Sequence, residues 1–308
     1  MNEENRQQGP RRSNPAHGER SSDQPEIGLE LNDQPVRSLT HKDITIEGYS
    51  RAAVQTYWRI PEFKLGFDLG NQPWSFMGTP NWFVSHTHMD HVLALPAYVA
   101  RRRMMKMDPP TIYLPEAAID PIQKILRQMS RLDRGRLPCN LVPTRPGDEI
   151  TLSRELVVTA SATKHTLPSM GFVVWESRRK LREEFHGLSG EEIRDLRLGG
   201  TDVTREIRIP RFAYLGDSAP DGLDACPAMY EAEVLILELT FVSPSHRKDK
   251  IHKFGHMHLD DLVERRERFK NQLVIASHFS TRYHTRQIRH IVQRRIPDMF
   301  DGRLRLWL

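Results

Sequence analysis

The stretch FVSHTHMDHVLALP, residues 83–96, places three histidines and an aspartate within six positions, between two apolar runs. In an extended backbone His86 and His88 point to the same side, because side chains alternate with a period of two residues. A turn into the following helix would direct Asp90 and His91 towards a second metal. Imidazoles and a carboxylate are the ligands expected for zinc, with manganese or iron as alternatives. A polar loop whose histidines only form hydrogen bonds is the other interpretation, and the spacing of the four donors favours the metal site.

Composition limits the class of protein. With 308 residues, 38% of them hydrophobic, the chain can bury one sizeable core or two small ones, and a single α/β domain is the simpler expectation. A net charge of +5 favours contact with polyanions. Cys139 and Cys226 are too few for a disulfide framework, which indicates a reducing compartment. No apolar run approaches the roughly 18 residues of a membrane span, so we expect a soluble, cytoplasmic protein, or a nuclear one in a eukaryote.

The chain divides into two parts by composition. Residues 1–42 are rich in polar residues, and we predict a disordered tail there, because so few apolar residues do not offset the entropy lost on ordering. Residues 43–308 alternate short β-like runs with helical patterns, which predicts one α/β domain with sheets covered by helices. Polar residues gather at the strand ends, where loops carry function.

The hexapeptide His86–His91 resembles the metal-binding motif of the metallo-β-lactamase superfamily. That resemblance implies an α/β fold, the αβ/βα four-layer sandwich, with two divalent metal ions. Further ligands match in the expected order, namely His165 in TKHTLPSMGF, Asp217 in YLGDS and His278 in IASHFSTRY. By this resemblance one metal would take His86, His88 and His165. The other would take Asp90, His91 and His278, with Asp217 between the two.

Three further motifs are similar to those of the ribonuclease Z family, especially its short, plant-type form. They are LELTF with Glu238, GHMHLDDL with His256, and HFSTRY with Arg282. The resemblance implies an endonuclease that removes 3′ trailers from precursor tRNA, with two ions, most simply Zn²⁺ but alternatively Mn²⁺ or Fe²⁺, and a homodimeric assembly. The chain departs from the family pattern at Ser218, at Leu239 and at Met257-His258, and FDLGNQPWS replaces the usual glycine-rich loop of longer members.

The resemblance also implies catalytic roles. Asp90 would hold or accept a proton, and His256, oriented by Glu238, would protonate the departing 3′ oxygen. Arg282 would contact a phosphate of the RNA. Taken singly, these residues have structural interpretations as well: Glu238 could cap a loop, His256 could be a hydrogen-bonded core histidine, and Arg282 could form a surface ion pair.

Residues 177–212 form a charged excursion between two motif strands. In the ribonuclease Z family the corresponding region carries an arm that grips tRNA, so we predict a tRNA arm, with a small helical insertion or a dimer contact as alternatives. Two other functions stay open on the sequence alone. One is a hydrolase of small phosphodiesters, thioesters or lactones, and the other is a non-catalytic RNA-binding or scaffold relative.

Overall fold

The structure, a computed structural model, describes residues 35–308 and contains two seven-stranded mixed sheets. The first sheet has its strands in chain order: β1 (Arg37–His41), β2 (Ile44–Arg51), β3 (Gln55–Ile60), β4 (Leu65–Leu69), β5 (Asn81–Phe83), β6 (Thr111–Pro115) and β7 (Asn140–Thr144). The second sheet also follows chain order: β8 (Glu149–Thr151), β9 (Leu156–Ala162), β10 (Met170–Leu181), β11 (Thr204–Tyr214), β12 (Val234–Glu238), β13 (Leu273–Ser277) and β14 (Leu304–Leu306). In each sheet the first four strands pair antiparallel and the remaining pairs are parallel.

The helices cover the outer faces of the sheets. They are α1 (Met89–Val92), α2 (Leu95–Met104), α3 (Ile119–Leu132), α4 (Gly190–Leu198), α5 (Pro220–Asp224), α6 (Pro227–Glu231), α7 (Lys248–Lys253), α8 (Leu259–Glu264) and α9 (Thr285–Arg295). Residues of α1, α2 and α3 pack on the first sheet, and residues of α6, α8 and α9 pack on the second. A third apolar cluster, which includes Phe67, Phe172 and Phe212, fills the space between the sheets. The predicted αβ/βα four-layer sandwich is therefore confirmed.

The burial of each strand follows its position in the sheet. Strand β2 alternates buried and partly exposed residues, with Ile44 and Ile46 fully buried. Strands β12 (VLILE) and β13 (LVIAS) are buried at every position, as expected for parallel strands with a sheet on one side and helices on the other. Their apolar runs made them recognisable in the sequence.

Strand β1 corrects the predicted domain boundary. It lies within the stretch 1–42 that the composition assigned to a disordered tail, so ordered structure begins before residue 43. The strand forms a hairpin with β2, pairing Leu39 with Ile46, and Leu39 packs against the cluster between the sheets. One apolar side chain among polar ones is a weak sequence signal for a strand. The strand is defined by its pairing with β2. Residues 1–34 of the predicted tail lie outside the described residues.

Residues 177–212 form most of a long β-hairpin. Strands β10 and β11 stay paired as far as Leu181 and Thr204, and the short helix α4 lies between them in the chain. Residues 177–181 and 204–212 of the segment therefore extend the second sheet, and the longer connection between them, residues 182–203, carries the short helix. Within residues 35–308, no helix combines the length and the apolar character needed to cross a bilayer.

Candidate metal centre

The predicted site residues come from the ends of different strands. His86 lies three residues after β5, Asp217 three residues after β11, and His278 directly after β13. These three strands belong to the parallel parts of the two sheets. Because the carboxyl ends of parallel strands meet at one edge of a sheet, loops that are distant in the chain bring their side chains together there. The fold thus explains why the donors are spread over nearly 200 residues.

One group of donors consists of three histidines. His86 Nε2 lies 3.1 Å from His88 Nδ1, and His165 Nε2 lies 3.0 Å from the same atom. The other ring nitrogens are held from outside: His86 Nδ1 lies 3.0 Å from Ser85 Oγ, and His165 Nδ1 lies 2.9 Å from the carbonyl oxygen of Gly255. A carbonyl only accepts hydrogen bonds, so His165 carries its proton on Nδ1 and keeps the Nε2 lone pair free for a metal.

A second group of donors consists of Asp90, His91 and His278. His91 Nε2 lies 3.3 Å from His278 Nε2, and Asp90 Oδ2 lies 3.4 Å from the latter atom. The other ring nitrogen of each histidine again has a hydrogen-bond partner. His91 Nδ1 lies 2.7 Å from Asp68 Oδ2, and His278 Nδ1 lies 3.2 Å from the Thr240 hydroxyl oxygen. The second group therefore has the same design as the first, with lone pairs converging on one point.

Asp217 lies between the two groups. Its Oδ2 is 3.8 Å from His86 Nε2 in the first group, and its Oδ1 is 3.6 Å from His91 Nε2 in the second. The side chain is buried. One carboxylate can therefore offer an oxygen to each of two neighbouring ions.

The protonation states suit cation binding. Burial lowers the pKa of His86 well below its ordinary value, and burial also lowers the pKa of His88 and His165. Burial alone would raise the pKa of Asp90 and Asp217, but the surrounding histidines hold both values below the usual range. Neutral imidazoles, as in the first group, and ionised carboxylates are the forms that bind divalent ions, whereas His91, whose pKa is raised, would release a proton on binding one. The residues present therefore fit a centre of two such ions.

Asp68 is a buried partner of the site that the sequence patterns did not predict. Its carboxylate accepts hydrogen bonds from the Ser85 amide (2.7 Å) and hydroxyl (2.9 Å), from His91 Nδ1, and from the Tyr214 hydroxyl. Burial opposes the charged form of His91, yet Asp217 and Asp68 together raise its pKa to about 9. The signal was present in the chain as a single charged residue inside the apolar strand LGFDL.

His256 and Glu238 form a pair beside the two groups of donors. His256 Nδ1 lies 2.9 Å from Glu238 Oε1, and Glu238 also accepts hydrogen bonds from the amide and hydroxyl of Thr240 at 3.0 and 2.6 Å. Burial opposes the charged form of His256, but the Glu238 carboxylate raises its pKa to about 9. The structure thus brings together the two residues that the sequence placed in separate motifs.

Arg282 lies in a pocket next to this pair. Its guanidinium carbon is 5.9 Å from the centre of the Phe241 ring. The same pocket is lined by His88, His165 and His256, so it opens directly onto the first group of donors. Arg282 is exposed, and its charge faces the space that a substrate would enter.

The basic residues of the predicted arm lie apart from these donors, on the β10–β11 hairpin. They are Arg178, Arg179, Lys180 and Arg182, and all but the half-buried Arg182 are exposed. Arg178 pairs with Glu176, and Arg179 lies 2.7 Å from Asp202. The hairpin therefore presents its positive charge largely in exposed ion pairs with its own carboxylates.

Comparison with known proteins identifies the family. A model described as the beta-lactamase superfamily domain matches residues 82–279. The tRNase Z TRZ1 of Arabidopsis thaliana is 34% identical over 261 residues, which cover 84% of this chain and 93% of that protein. The chain belongs to the ribonuclease Z family of the beta-lactamase superfamily.

Other relatives support the same membership. This ribonuclease Z family member is 35% identical over 162 residues to the nuclear ribonuclease Z of Triticum aestivum, covering 53% of the chain and 92% of that protein. Among solved structures, the metallo-beta-lactamase fold protein YhfI from Bacillus subtilis matches with a TM-score of 0.57 at 15% identity, over 84% of this chain and 92% of that one. That likeness shows the shared fold. The family resemblance drawn from the motifs is thus confirmed.

Proposed function

We propose that this chain is a metal-dependent endoribonuclease that removes 3′ trailers from precursor tRNA and leaves a 3′-hydroxyl on the tRNA body. The observation that carries the proposal is the convergence of two groups of donors, joined by Asp217, with the His256–Glu238 pair at their edge. Relatives at 34% and 35% identity are named tRNase Z and nuclear ribonuclease Z. Family and site therefore favour the same reaction.

The metal ligands in this proposal are the seven donors His86, His88, Asp90, His91, His165, Asp217 and His278. We assign Zn²⁺ as the first choice, because imidazole nitrogen and carboxylate oxygen are its usual ligands here, with Mn²⁺ or Fe²⁺ as alternatives. Two divalent ions bound there would polarise the phosphodiester and lower the pKa of water.

The remaining groups would position and move protons. Asp90 faces the second group through Oδ2, where it can hold or accept the proton of an attacking water. His256 has Nδ1 tied to Glu238, which leaves Nε2 to donate a proton to the departing 3′ oxygen. Arg282 can offer a charge-assisted hydrogen bond to a phosphate oxygen from its pocket.

The test is cleavage of a defined precursor tRNA with the purified, metal-loaded protein. We expect one cut after the last nucleotide of the tRNA body, with a 3′-hydroxyl on the tRNA and a 5′-phosphate on the trailer. Mapping both ends by primer extension and mass spectrometry distinguishes this outcome from random degradation. Cleavage of a small chromogenic diester without any cut in precursor tRNA would instead support the small-substrate hydrolase.

The metal assignment has a separate test. We expect about two divalent ions per chain by elemental analysis, because seven converging donors would otherwise be a costly cluster of buried polar groups. His86→Ala and Asp217→Ala should each lower that content. Well-folded wild-type protein without stoichiometric metal, or variants that retain the wild-type amount, would show that the assignment is wrong.

We also propose a homodimer, on the basis of an exposed apolar surface formed by α1 and α3. Met89 and Leu93 are 66% and 65% exposed, and Ile125 and Met129 are 45% and 42% exposed in the same groove. Contiguous apolar patches on soluble proteins mark interaction sites. Sedimentation of the wild type should give a dimer, and Leu93→Glu should give a monomer. A monomeric wild type would contradict the proposal.

A further inference from the structure

The pocket beside His256 has the chemical character of a nucleotide site. Its volume is about 480 Å³, within the range of roughly 300–1,000 Å³ typical of pockets for small ligands. It is lined by aromatic and aliphatic side chains together with Arg247, Lys250 and Arg282, and no aspartate or glutamate among residues 35–308 lines it. A cavity of this kind attracts an anion that carries a flat apolar group.

Two of the three cations lack a carboxylate partner. Arg247 is paired with Asp249 at 2.5 Å, whereas neither Lys250 nor Arg282 has a carboxylate within 4.0 Å in the part of the chain that the structure describes. The family motif assigns Arg282 to a phosphate, but it assigns nothing to Lys250. An ammonium of this kind at the wall of an acid-free pocket is suited to a phosphate oxygen.

Phe254 supplies an aromatic face at the same place. Its side chain is 58% exposed, which is unusual for a phenyl ring in a folded domain. The next residue, Gly255, binds His165 through its carbonyl oxygen, and a Cβ at that glycine would lie 2.4 Å from the His165 Cα. Phe254 is therefore held against the first group of metal ligands by backbone contacts.

The proposed position of the proton donor identifies which nucleotide would enter the pocket. If His256 protonates the departing 3′ oxygen, the nucleotide that carries this oxygen is the last one retained on the tRNA. His256 and Phe254 line one pocket, so that nucleotide lies beside Phe254. Aromatic rings bind single-stranded bases by stacking and tolerate every base, since each base has a π-face.

Resting on the proposed function, we infer that Phe254 stacks on the base of the last retained nucleotide and that Lys250 binds a phosphate of the same strand. The inference adds to the proposed reaction a binding subsite for this nucleotide, with Phe254 as its specificity-determining residue. The subsite requires a base at the cleavage position but binds every base alike.

The test compares the affinities of wild type and variants for two RNAs, and it does not depend on cleavage. Two product RNAs are compared, one a tRNA ending in the last retained nucleotide and one shorter by that nucleotide. Phe254→Ala should weaken binding of the longer RNA about 5- to 150-fold, the range for removal of one stacked base, and leave binding of the shorter RNA unchanged. Phe254→Trp should restore tight binding of the longer RNA. Equal losses on both RNAs, or no loss on either, would overturn the assignment of Phe254.

Lys250 has a matched control on its own helix. Lys253 lies three residues further along α7, is exposed, and does not line the pocket. Lys250→Ala should reduce the slope of log affinity against log salt by about 0.7, the value for one phosphate neutralised on a single strand, and Lys253→Ala should not. Identical slopes for the two variants would refute the role of Lys250.

The outcomes separate this inference from the proposed function. If the wild type cuts precursor tRNA but Phe254→Ala binds both RNAs normally, only the inference about the subsite is contradicted. If the wild type leaves precursor tRNA uncut, the proposed function itself is contradicted. Met104→Ala, at a 73% exposed apolar residue at the end of α2, serves as the control for removal of an exposed apolar side chain.

Discussion

At the scale of single residues, Asp68 connects the two sheets to the candidate metal centre. Its carboxylate sits in the buried strand β4 and accepts hydrogen bonds from Ser85 and His91 on one side and from Tyr214 of β11 on the other. The His91 bond directs the Nε2 atom of that ring towards Asp90 and His278. A residue outside the two groups of donors thus orients a proposed metal ligand, as outer partners of metal sites commonly do.

We predict that Asp68→Asn weakens metal binding about 10- to 100-fold, because an amide cannot accept all four hydrogen bonds and no longer orients His91. Unfolding free energy should fall by about 2–3 kcal/mol, the cost of losing hydrogen bonds to a buried charge. Metal titration of the apo protein and urea unfolding measure the two effects. Tyr214→Phe, which removes one donor and keeps the carboxylate, should lose much less metal affinity. Wild-type affinity in Asp68→Asn would contradict this role.

His256→Ala should slow cleavage of precursor tRNA about 10²- to 10⁴-fold, the usual contribution of a general acid, without lowering the metal content. A substrate with a better leaving group needs less proton donation, so it should recover much of the missing rate. Single-turnover rates on ordinary and activated diesters, with elemental analysis of the same samples, provide the comparison. Equal slowing on both substrates, or depletion of metal, would show that His256 has another role.

At the scale of elements, the β10–β11 hairpin is the feature whose function stays a prediction. Its strands extend the second sheet, and its basic residues form exposed pairs such as Arg179 with Asp202. Exposed pairs of this kind contribute little to stability, so phosphates of an RNA can compete for the same cations. Partial neutralisation by carboxylates does not exclude an arm, but it limits how many phosphates the arm can bind.

Replacement of Arg178, Arg179, Lys180 and Arg182 by alanine should weaken binding of precursor tRNA and flatten its salt dependence. The expected change in slope is about 0.7–0.9 for each phosphate that the arm no longer neutralises. Hydrolysis of a small chromogenic diester should barely change, because the proposed metal ligands lie outside the hairpin. Unchanged tRNA affinity and slope would exclude the arm. A matching decrease on the small diester would indicate support of the active site or of a dimer instead.

At the scale of the whole molecule, Arg211 ties the two sheets together. Its guanidinium, 10% exposed, binds Asp43 of the β1–β2 turn at 2.7 Å, Glu233 ahead of β12 at 2.9 Å, and Glu176 of β10. Asp43 belongs to the first sheet and the other two carboxylates to the second. The network therefore joins the two sheets next to Ile44, Phe212 and Val234, which belong to the apolar cluster between the sheets.

Arg211→Ala should lower the free energy of unfolding by about 1.5–3 kcal/mol at pH 7, the range for hydrogen bonds to a charged group. Arg179→Ala, in an exposed pair, should lower the free energy of unfolding much less. The hydrogen bond from Arg211 lowers the pKa of Asp43 in the folded protein. The stabilisation from this pair is therefore complete above the pKa of Asp43 in the unfolded chain, about 3.9. It is lost as the pH falls through the lower pKa of Asp43 in the folded protein. In urea unfolding, the difference in unfolding free energy between wild type and Arg211→Ala should therefore decrease below about pH 4. If that difference did not depend on pH, the ion pairs of Arg211 would be excluded as its cause.

The candidate ligands His165, Asp217 and His278 were expected from the family resemblance, whereas the donor cluster at His86–His91 and the apolar strands β12 and β13 could be predicted from sequence patterns. These latter patterns are local, because a donor spacing or an apolar run is complete within about ten residues. Asp68, Thr240 and the Arg211 network could not, since each depends on a partner far away in the chain; Asp68 and Tyr214, for example, are 146 positions apart. Strand β1 could not either, because only Leu39 among its side chains is apolar and its pairing with β2 is needed to define it. A polar residue inside an apolar strand shows that some partner must exist, because burying it alone is costly. Only the tertiary structure decides which partner that is, since the pairing of strands and the packing of the two sheets bring the two side chains together.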